Sequence, residues 1–151
     1  MNPSDATNTA YWITPVKPDK EQSAEKVVQV YVGQYKTYAF GDTTPGRKRI
    51  KPGDWICFYI SRKGVVGHAK VVTFPETRAT SPIRNPKRYP WVFDLDSVSL
   101  YLEEPVMLDF ALRGTLDAFA KKDLKKRWSW FVQTTKEISQ SDFNRLTSSR
   151  V

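Results

Sequence analysis

Six consecutive apolar residues, Trp55-Ile56-Cys57-Phe58-Tyr59-Ile60, constrain this chain more than any other feature. A run this short and this rich in aromatic and β-branched side chains is apolar on both faces of a strand, so it belongs inside a sheet covered on each side. Pro52-Gly53-Asp54 makes a turn into it, and Arg62-Lys63-Gly64 makes a tight connection out of it. Val65 to Val72 returns as a strand, with Gly67 and Ala69 on one face and His68 and Lys70 on the other. Small residues there leave room for a neighbour or a ligand. Trp91 to Leu102 starts by alternating Trp91, Phe93 and Leu95 with Val92, Asp94 and Asp96, and reads as a third long strand.

Around this centre the pattern is less regular. Residues 1–10 are read as a disordered leader, leaving 11–151 as a single domain. Tyr11-Trp12-Ile13-Thr14, ended by Pro15, is a first short strand, and Pro15 to Ser23 is a polar loop. In Ala24 to Val32 the spacing of Val27, Val28 and Tyr31 is helical, whereas the residue types favour a strand. Gly33 to Gly53 reads as a long loop with aromatic insertions at Tyr35, Tyr38 and Phe40. Phe74 to Arg88 reads as a second one, basic and rich in proline. Loops of this length are commonly binding elements. Leu108, Leu112, Leu116 and Phe119 predict an amphipathic helix over Asp109 to Lys121, weakened by Gly114. Ser139 with Asp142 signals the N-cap of a short final helix with Phe143 and Leu146 on one face. Strands followed by helices make an α+β domain, a small curved sheet or open barrel with helices packed on it.

Little in the chain suits catalysis. A single domain of 151 residues buries roughly 70% of its extended-chain surface, so a core needs no covalent staple. The lone cysteine, Cys57, excludes an internal disulfide and argues against a structural zinc site, and neither metal nor cofactor is expected. No apolar run approaches the roughly 18 residues of a membrane span. No basic start followed by an apolar stretch marks a secretory signal, so a cytoplasmic location without a membrane partner is expected. His68, the only histidine, lies mid-strand without a Gly-x-Ser-x-Gly turn, and Cys57 sits in the most apolar strand, as an inert thiol would. The acidic pairs Asp94/Asp96 and Glu103/Glu104 fit a solvated edge. The expectation is a protein that binds without chemistry.

The charge points to the partner. Lys and Arg number 24 against 16 Asp and Glu, a net +8. From Tyr89 to Leu112 there is no Lys or Arg and five acids, which leaves a net +13 on the remainder. Aromatic residues interleave with cations in Tyr35-Lys36-Thr37-Tyr38, Arg88-Tyr89-Pro90-Trp91 and Arg127-Trp128-Ser129-Trp130. Cations neutralise phosphate and release counterions, and an aromatic face stacks on a base for about 1–3 kcal/mol. Nucleic acid is the partner this combination suits.

Several segments, taken in order, resemble a known family. They are Tyr11-Trp12-Ile13, Ile50-Lys51-Pro52-Gly53-Asp54, Val65-Val66-Gly67-His68-Ala69-Lys70-Val71, Tyr89-Pro90-Trp91-Val92, and Arg127-Trp128-Ser129-Trp130-Phe131 with Glu137-Ile138 and Asp142-Phe143. Together they look like the EVE domain, of the PUA-like group related to the YTH readers of methylated RNA. The resemblance runs from about Tyr11 to Leu146. It implies a strongly curved mixed sheet close to a small barrel, surrounded by helices. It also implies a modified base, flipped out of its strand into an aromatic pocket, in DNA slightly ahead of RNA. Flipping costs a few kcal/mol, which stacking and edge hydrogen bonds offset.

The resemblance also assigns residues. Relatives carry a pocket tryptophan in a Gly-Val-Trp segment; this chain has none there, and Tyr38 and Phe40 are the nearest aromatics. Trp12 and Trp130 are the further aromatic candidates. In relatives the residues just after the first strand lend polar contacts, which points to Thr14. Gln133 and Thr134 lie where the methyl-RNA readers carry Arg-Asp-Gly and would bond a base edge as neutral groups. Tyr59, Ser61 and His68 would form the pocket wall. Arg47, Lys48, Arg49, Arg84, Lys87, Arg88, Lys125, Lys126 and Arg127 would hold phosphates around the mouth. A monomer is expected, with a nuclease or modification enzyme acting in trans. The alternative is a small-molecule or nucleotide binder using the same pocket. A nucleic-acid enzyme is the weakest reading, for want of metal-ligating clusters.

Overall fold

Trp55–Ile60 forms strand β3 of a mixed sheet, and its alternation separates two cores. Ile56, Phe58 and Ile60 enter the first, whereas Cys57 and Tyr59 enter the second, with Trp55 packed beside them. The computed structural model describes residues 9–147, so residues 1–8 of the expected leader lie outside the described residues. Ala10, assigned to that leader, is half-buried and donates its N–H to Asp54 Oδ1 at 3.0 Å.

The other strands are β1 (Tyr11–Pro15), β2 (Thr37–Phe40), β4 (Gly64–Val71), β5 (Trp91–Leu100) and β6 (Lys136–Ile138). They order as β2-β5-β4-β3-β1-β6. β1 runs parallel to β3, with Trp12 opposite Ile56 and Thr14 opposite Phe58; all other pairings are antiparallel. Register shifts at Phe58/Tyr59 and His68/Lys70 bend the strands, and the sheet curls into a half-barrel, the expected α+β architecture. The small face of β4 serves a neighbour: a Cβ on Gly67 would stand 2.6 Å from Leu100 Cδ2 and 2.8 Å from the Ser99 carbonyl oxygen.

The ambiguous segment after β1 is helical. Helix α1 (Ala24–Val27) continues as a π-helical stretch, Val28–Gln34. Ser23 Oγ accepts the Lys26 N–H at 3.1 Å and caps the start. Val27, Val28, Tyr31 and Val32 then fall on one side and seal the first core, so packing overrides their β propensity. The long loop before β3 contains β2, because Thr37, Ala39 and Phe40 are buried by pairing with Asp94, Val92 and Trp91 of β5.

The helix predicted over Asp109 to Lys121 is broken. Helix α2 (Phe110–Thr115) is capped by Asp109, whose carboxylate accepts the Leu112 N–H at 2.8 Å. Leu116 is then extended, and a 3-10 turn, Asp117–Phe119, begins anew. The cause lies in the final helix, α3 (Gln140–Thr147). Its buried Asp142 accepts the N–H of Asp117 at 2.6 Å and of Ala118 at 3.0 Å, supplying a cap that the continuous helix would not use. Ser139 caps α3 as its sequence suggests, accepting the Asp142 N–H at 3.0 Å, and Phe143 and Leu146 are buried in the second core. A second 3-10 turn, Ser129–Phe131, precedes β6, which the sequence did not disclose.

Asp54 ties this arrangement together. Its side chain is fully buried. Oδ1 accepts from the Ala10 N–H and from Lys51 Nζ at 2.9 Å; Oδ2 accepts from Trp12 Nε1 at 3.0 Å and the Lys51 N–H at 3.1 Å. The Gly53 N–H and the Asp54 carbonyl also pair with the Val71 backbone, each at 2.8 Å. Gly53, at φ +95°, takes the left-handed conformation this turn requires. Asp54→Ala leaves the buried indole N–H of Trp12 and the half-buried N–H groups of Ala10 and Lys51 without their acceptor, at about 1–3 kcal/mol for each that stays out of water. Urea unfolding is expected to show a loss of about 3 kcal/mol or more; a change near zero would show that the carboxylate is dispensable.

Candidate functional site

The half-barrel is open where β2 has no strand on its outer side. The Tyr38 hydroxyl on β2 reaches across to the Pro15 carbonyl at the end of β1, at 3.4 Å. Around this seam lies a cavity of about 990 Å³. β1 contributes Thr14 and Pro15, β2 contributes Tyr38 to Phe40, and the segment entering β6 contributes Gln133 to Thr135. The remaining wall comes from Val27, Tyr31, and the loops carrying Lys17 to Glu21, Gly41 to Pro45 and Ile83 to Tyr89.

Four aromatic residues line it: Tyr31, Tyr38, Phe40 and Tyr89. Tyr38 is wedged edge-on against Phe58, centroids 5.2 Å apart, and Phe40 lies 4.9 Å from Phe93, so these rings are fixed by the core beneath. The Tyr31 hydroxyl accepts the Arg84 N–H at 2.8 Å and thereby ties the helical wall to the far loop. Burial pushes the Tyr31 and Tyr38 phenols above their ordinary pKa, so both stay protonated at neutral pH. Thr14 Oγ1 and Thr135 Oγ1 share a buried hydrogen bond of 2.7 Å, which holds Gln133 and Thr134 at the rim, both exposed.

The mouth carries charge of both signs. Lys17, Lys20, Arg84 and Arg88 stand among Asp19, Glu21 and Asp42. Arg84 bonds to Glu21 and approaches Asp19 at 4.0 Å, joining two walls of the cavity. Asp42 Oδ1 accepts from Trp91 Nε1 at 2.7 Å, and the Arg47 guanidinium lies 4.4 Å from the Trp91 ring centroid. The Arg88 guanidinium lies 5.5 Å from the ring of Tyr89.

Of the residues proposed from sequence, the structure gathers Thr14, Tyr38, Phe40, Gln133 and Thr134 at this cavity, with Arg84 and Arg88 at its mouth. It places the others elsewhere. Trp12 is buried on Asp54, and Gly46 presses on its ring so closely that a Cβ would stand 2.5 Å away. Tyr59 and Trp130 belong to the second core, where Trp130 stacks on Phe119 at 5.0 Å. Ser61 is exposed in the turn after β3. His68 faces Trp55, Tyr101 and Phe143. Arg49 is paired with Glu137 at 3.1 Å, beside a shallower cleft along β6 that shares Thr134 and Thr135 with the main cavity. Lys48, Lys87, Lys125, Lys126 and Arg127 are exposed and do not line the cavity. Cys57 is sealed in the second core, and burial pushes its thiol well above the usual range, which leaves it unreactive. Among the described residues, no group of three or more His, Cys, Asp or Glu is placed to hold a metal ion, and no helix is long and apolar enough to cross a membrane.

The family model for the EVE domain matches residues 10–148. The chain belongs to the EVE domain family. This EVE domain is similar in fold to the YTH domain of mmi1 solved with RNA, at a TM-score of 0.57 and 11% identity, covering 93% of this chain and 80% of that one. It is similar to the Pho92 YTH domain solved with m6A, at 0.56 and 13% identity, covering 94% and 83%. A Pseudomonas syringae protein matches at 0.56 and 17% identity, covering 94% and 100%. No curated protein matches the chain in sequence.

Two aromatics of the EVE domain's cavity escaped the sequence reading as site residues. Tyr31 lay in a segment whose residue types favoured a strand, although its i, i+4 spacing from Val27 was the available signal. Tyr89 stood in a basic-aromatic segment already singled out, without a role in the pocket.

His68 shows what its real surroundings do. Its Nδ1 shares a 2.9 Å hydrogen bond with the Tyr101 hydroxyl, and burial lowers its pKa from the ordinary 6.5. The unfolded chain therefore takes up a proton before the folded one does. The contribution of His68 to stability is complete above pH 6.5 and declines as the pH falls through that value towards the folded pKa. His68→Gln is expected to narrow the difference in Tm between about pH 7 and about pH 5.5. An unchanged difference would mean that the imidazole is as well solvated in the fold as outside it.

Proposed function

We propose that this EVE domain is a non-enzymatic nucleic-acid reader that takes one altered base, flipped from its strand, into the seam cavity. The observation that carries this reading is the cavity's construction: Tyr31, Tyr38, Phe40 and Tyr89 in its lining, neutral hydrogen-bonding groups at Gln133 and Thr134 on its rim, and cations at the mouth. Ring faces hold a base by stacking, at about 1–3 kcal/mol each, against the few kcal/mol that flipping costs. Protonated phenols and a carboxamide match the uncharged donors and acceptors of a base edge. Lys17, Lys20 and Arg88 at the mouth would meet the phosphates flanking a flipped base. Arg84 holds two walls together through Glu21 and Asp19, and would exchange those carboxylates for phosphate. The RNA and m6A of the solved YTH neighbours support nucleic acid as the ligand class.

The cavity's 990 Å³ also favours a second reading, a free nucleotide or metabolite, because it reaches the upper end of the about 300–1,000 Å³ of small-ligand pockets. Salt separates the two. Binding to a strand weakens steeply as salt rises, whereas a buried small ligand is nearly indifferent.

The test is a fluorescence-anisotropy panel of short DNA and RNA strands, each with one altered base, against their parents. DNA, the expectation from sequence, and RNA enter on equal terms. Roughly tenfold or greater preference for one altered base is expected, a difference of about 1.4 kcal/mol. Tyr89→Ala is expected to reduce that binding roughly fivefold to a hundredfold, the value of one stacking contact. Gln133→Ala is expected to erase discrimination between bases while leaving Tm unchanged. Absence of any preference for an altered base overturns the reading, and a salt-indifferent small ligand retained in native mass spectra would replace it.

A further inference from the structure

One dense run of positive charge lies away from the cavity. Between Arg113 and Lys136 there are seven cations and two acids. Five of the cations, Lys121, Lys122, Lys125, Lys126 and Arg127, fall within seven residues, and all five are exposed. Elsewhere the structure pairs Arg49, Arg78 and Arg84 with carboxylates. Among the described residues, none of the seven ion pairs involves this cluster, and its nearest acid in sequence, Asp123, directs Oδ1 to the Lys125 N–H at 3.0 Å.

The segment is held in place. Lys122 N–H donates to the Phe119 carbonyl at 3.0 Å and Lys126 N–H to the Asp123 carbonyl at 3.1 Å. Leu124 lies against Gly114. Two half-buried indoles then pin cations around it. Trp130, seated on Phe119 and Phe131, carries Lys122 at 5.2 Å and Lys136 at 5.9 Å from its ring; Trp128 carries Arg113 at 4.6 Å. Both indoles are thereby engaged by the chain's own cations. What they do is fix positive charge over the second core, on the other side of the sheet from the core that floors the cavity.

We infer that the Lys121–Arg127 surface is a second, cavity-independent site that binds the phosphate backbone of a nucleic-acid strand without regard to base. It goes beyond base reading and does not need the cavity to take a base. It supplies the affinity that holds a strand while its bases are sampled elsewhere. Each phosphate neutralised on a single strand lowers the slope of log K against log salt by about 0.7.

The test replaces four exposed, unpaired cations together, Lys121→Gln, Lys125→Gln, Lys126→Gln and Arg127→Gln, and leaves Lys122 on Trp130. Circular dichroism and Tm are expected to match the parent, since exposed substitutions of this kind change stability by about 0.5 kcal/mol or less. Binding of an unmodified oligothymidylate and oligouridylate is followed from about 50 to 200 mM salt. The quadruple variant is expected to lose roughly tenfold or more in affinity at low salt, with a slope shallower by about 3. Lys26→Gln, an exposed cation outside both surfaces, is expected to leave both unchanged. Unaltered affinity and slope in the quadruple variant overturn the inference, as does an equal loss in Lys26→Gln. Binding to phosphatidylserine vesicles in place of either oligonucleotide also overturns it and assigns the surface to lipid. If unmodified strands bind through these cations while no altered base is preferred, the reading of the cavity fails and this site stands.

Discussion

A carboxylate sealed from water holds the half-barrel closed at its centre. Asp54 accepts from the backbone before β1, from the indole of Trp12 on β1, and from both ends of Lys51 at the turn into β3. A buried charge is tolerable only when its lone pairs are filled, so these groups must stay where they are. The consequence is the parallel pairing of β1 with β3, whose ends are marked by Trp55 N–H on Ala10 and Val16 N–H on Tyr59. Parallel neighbours need a long crossover. Here the crossover contains α1, the π-helical stretch and β2, which together supply most of one cavity wall. The position of Tyr31 and Tyr38 thus follows from a hydrogen-bond node that touches neither.

The sheet has two dressed faces with different work. Against the first core stand α1 and the aromatic residues of β2 and β5, and the curl leaves a gap there that no strand fills. Against the second core stand α2, α3 and the 3-10 turns, and Asp142 and Ser139 bind α3 to the turn at Asp117–Phe119. The chain crosses between the two environments at residues 130–135: Trp130 packs on the second core, and Thr135 bonds to Thr14 at the cavity. The basic-aromatic segment Arg127 to Trp130 therefore stays over the second core, and the polar residues Gln133 to Thr135 that follow it reach the cavity.

Much of the frame was legible because it is written in local chemistry. The strand at Trp55–Ile60, the turn at Pro52 to Asp54 and the cap at Ser139 each need only neighbouring residues to be recognised. The misread elements are those decided by distant partners. β2 is a strand because β5 covers it, and the helix after Asp109 stops because a carboxylate 25 residues later caps Asp117. Candidate site residues divided in the same way. Thr14, Tyr38, Gln133 and Thr134 were reached through position in a family pattern and do line the cavity. Tyr59 and His68, proposed from their neighbouring strands, and Trp12 and Trp130, proposed as further aromatics, are used by the fold in its cores and against its helices.

By itself the sequence determined an α+β chain around one doubly buried strand, with a positive surplus kept out of the third long strand. Apolar runs, turn residues and net charge are properties that no neighbour can cancel. Only the tertiary structure decided which aromatics face open space. A tyrosine and a tryptophan gain from burial wherever a layer covers them. Which faces are covered depends on the curl of the sheet, the register shifts that produce it, and the helices that land on each side.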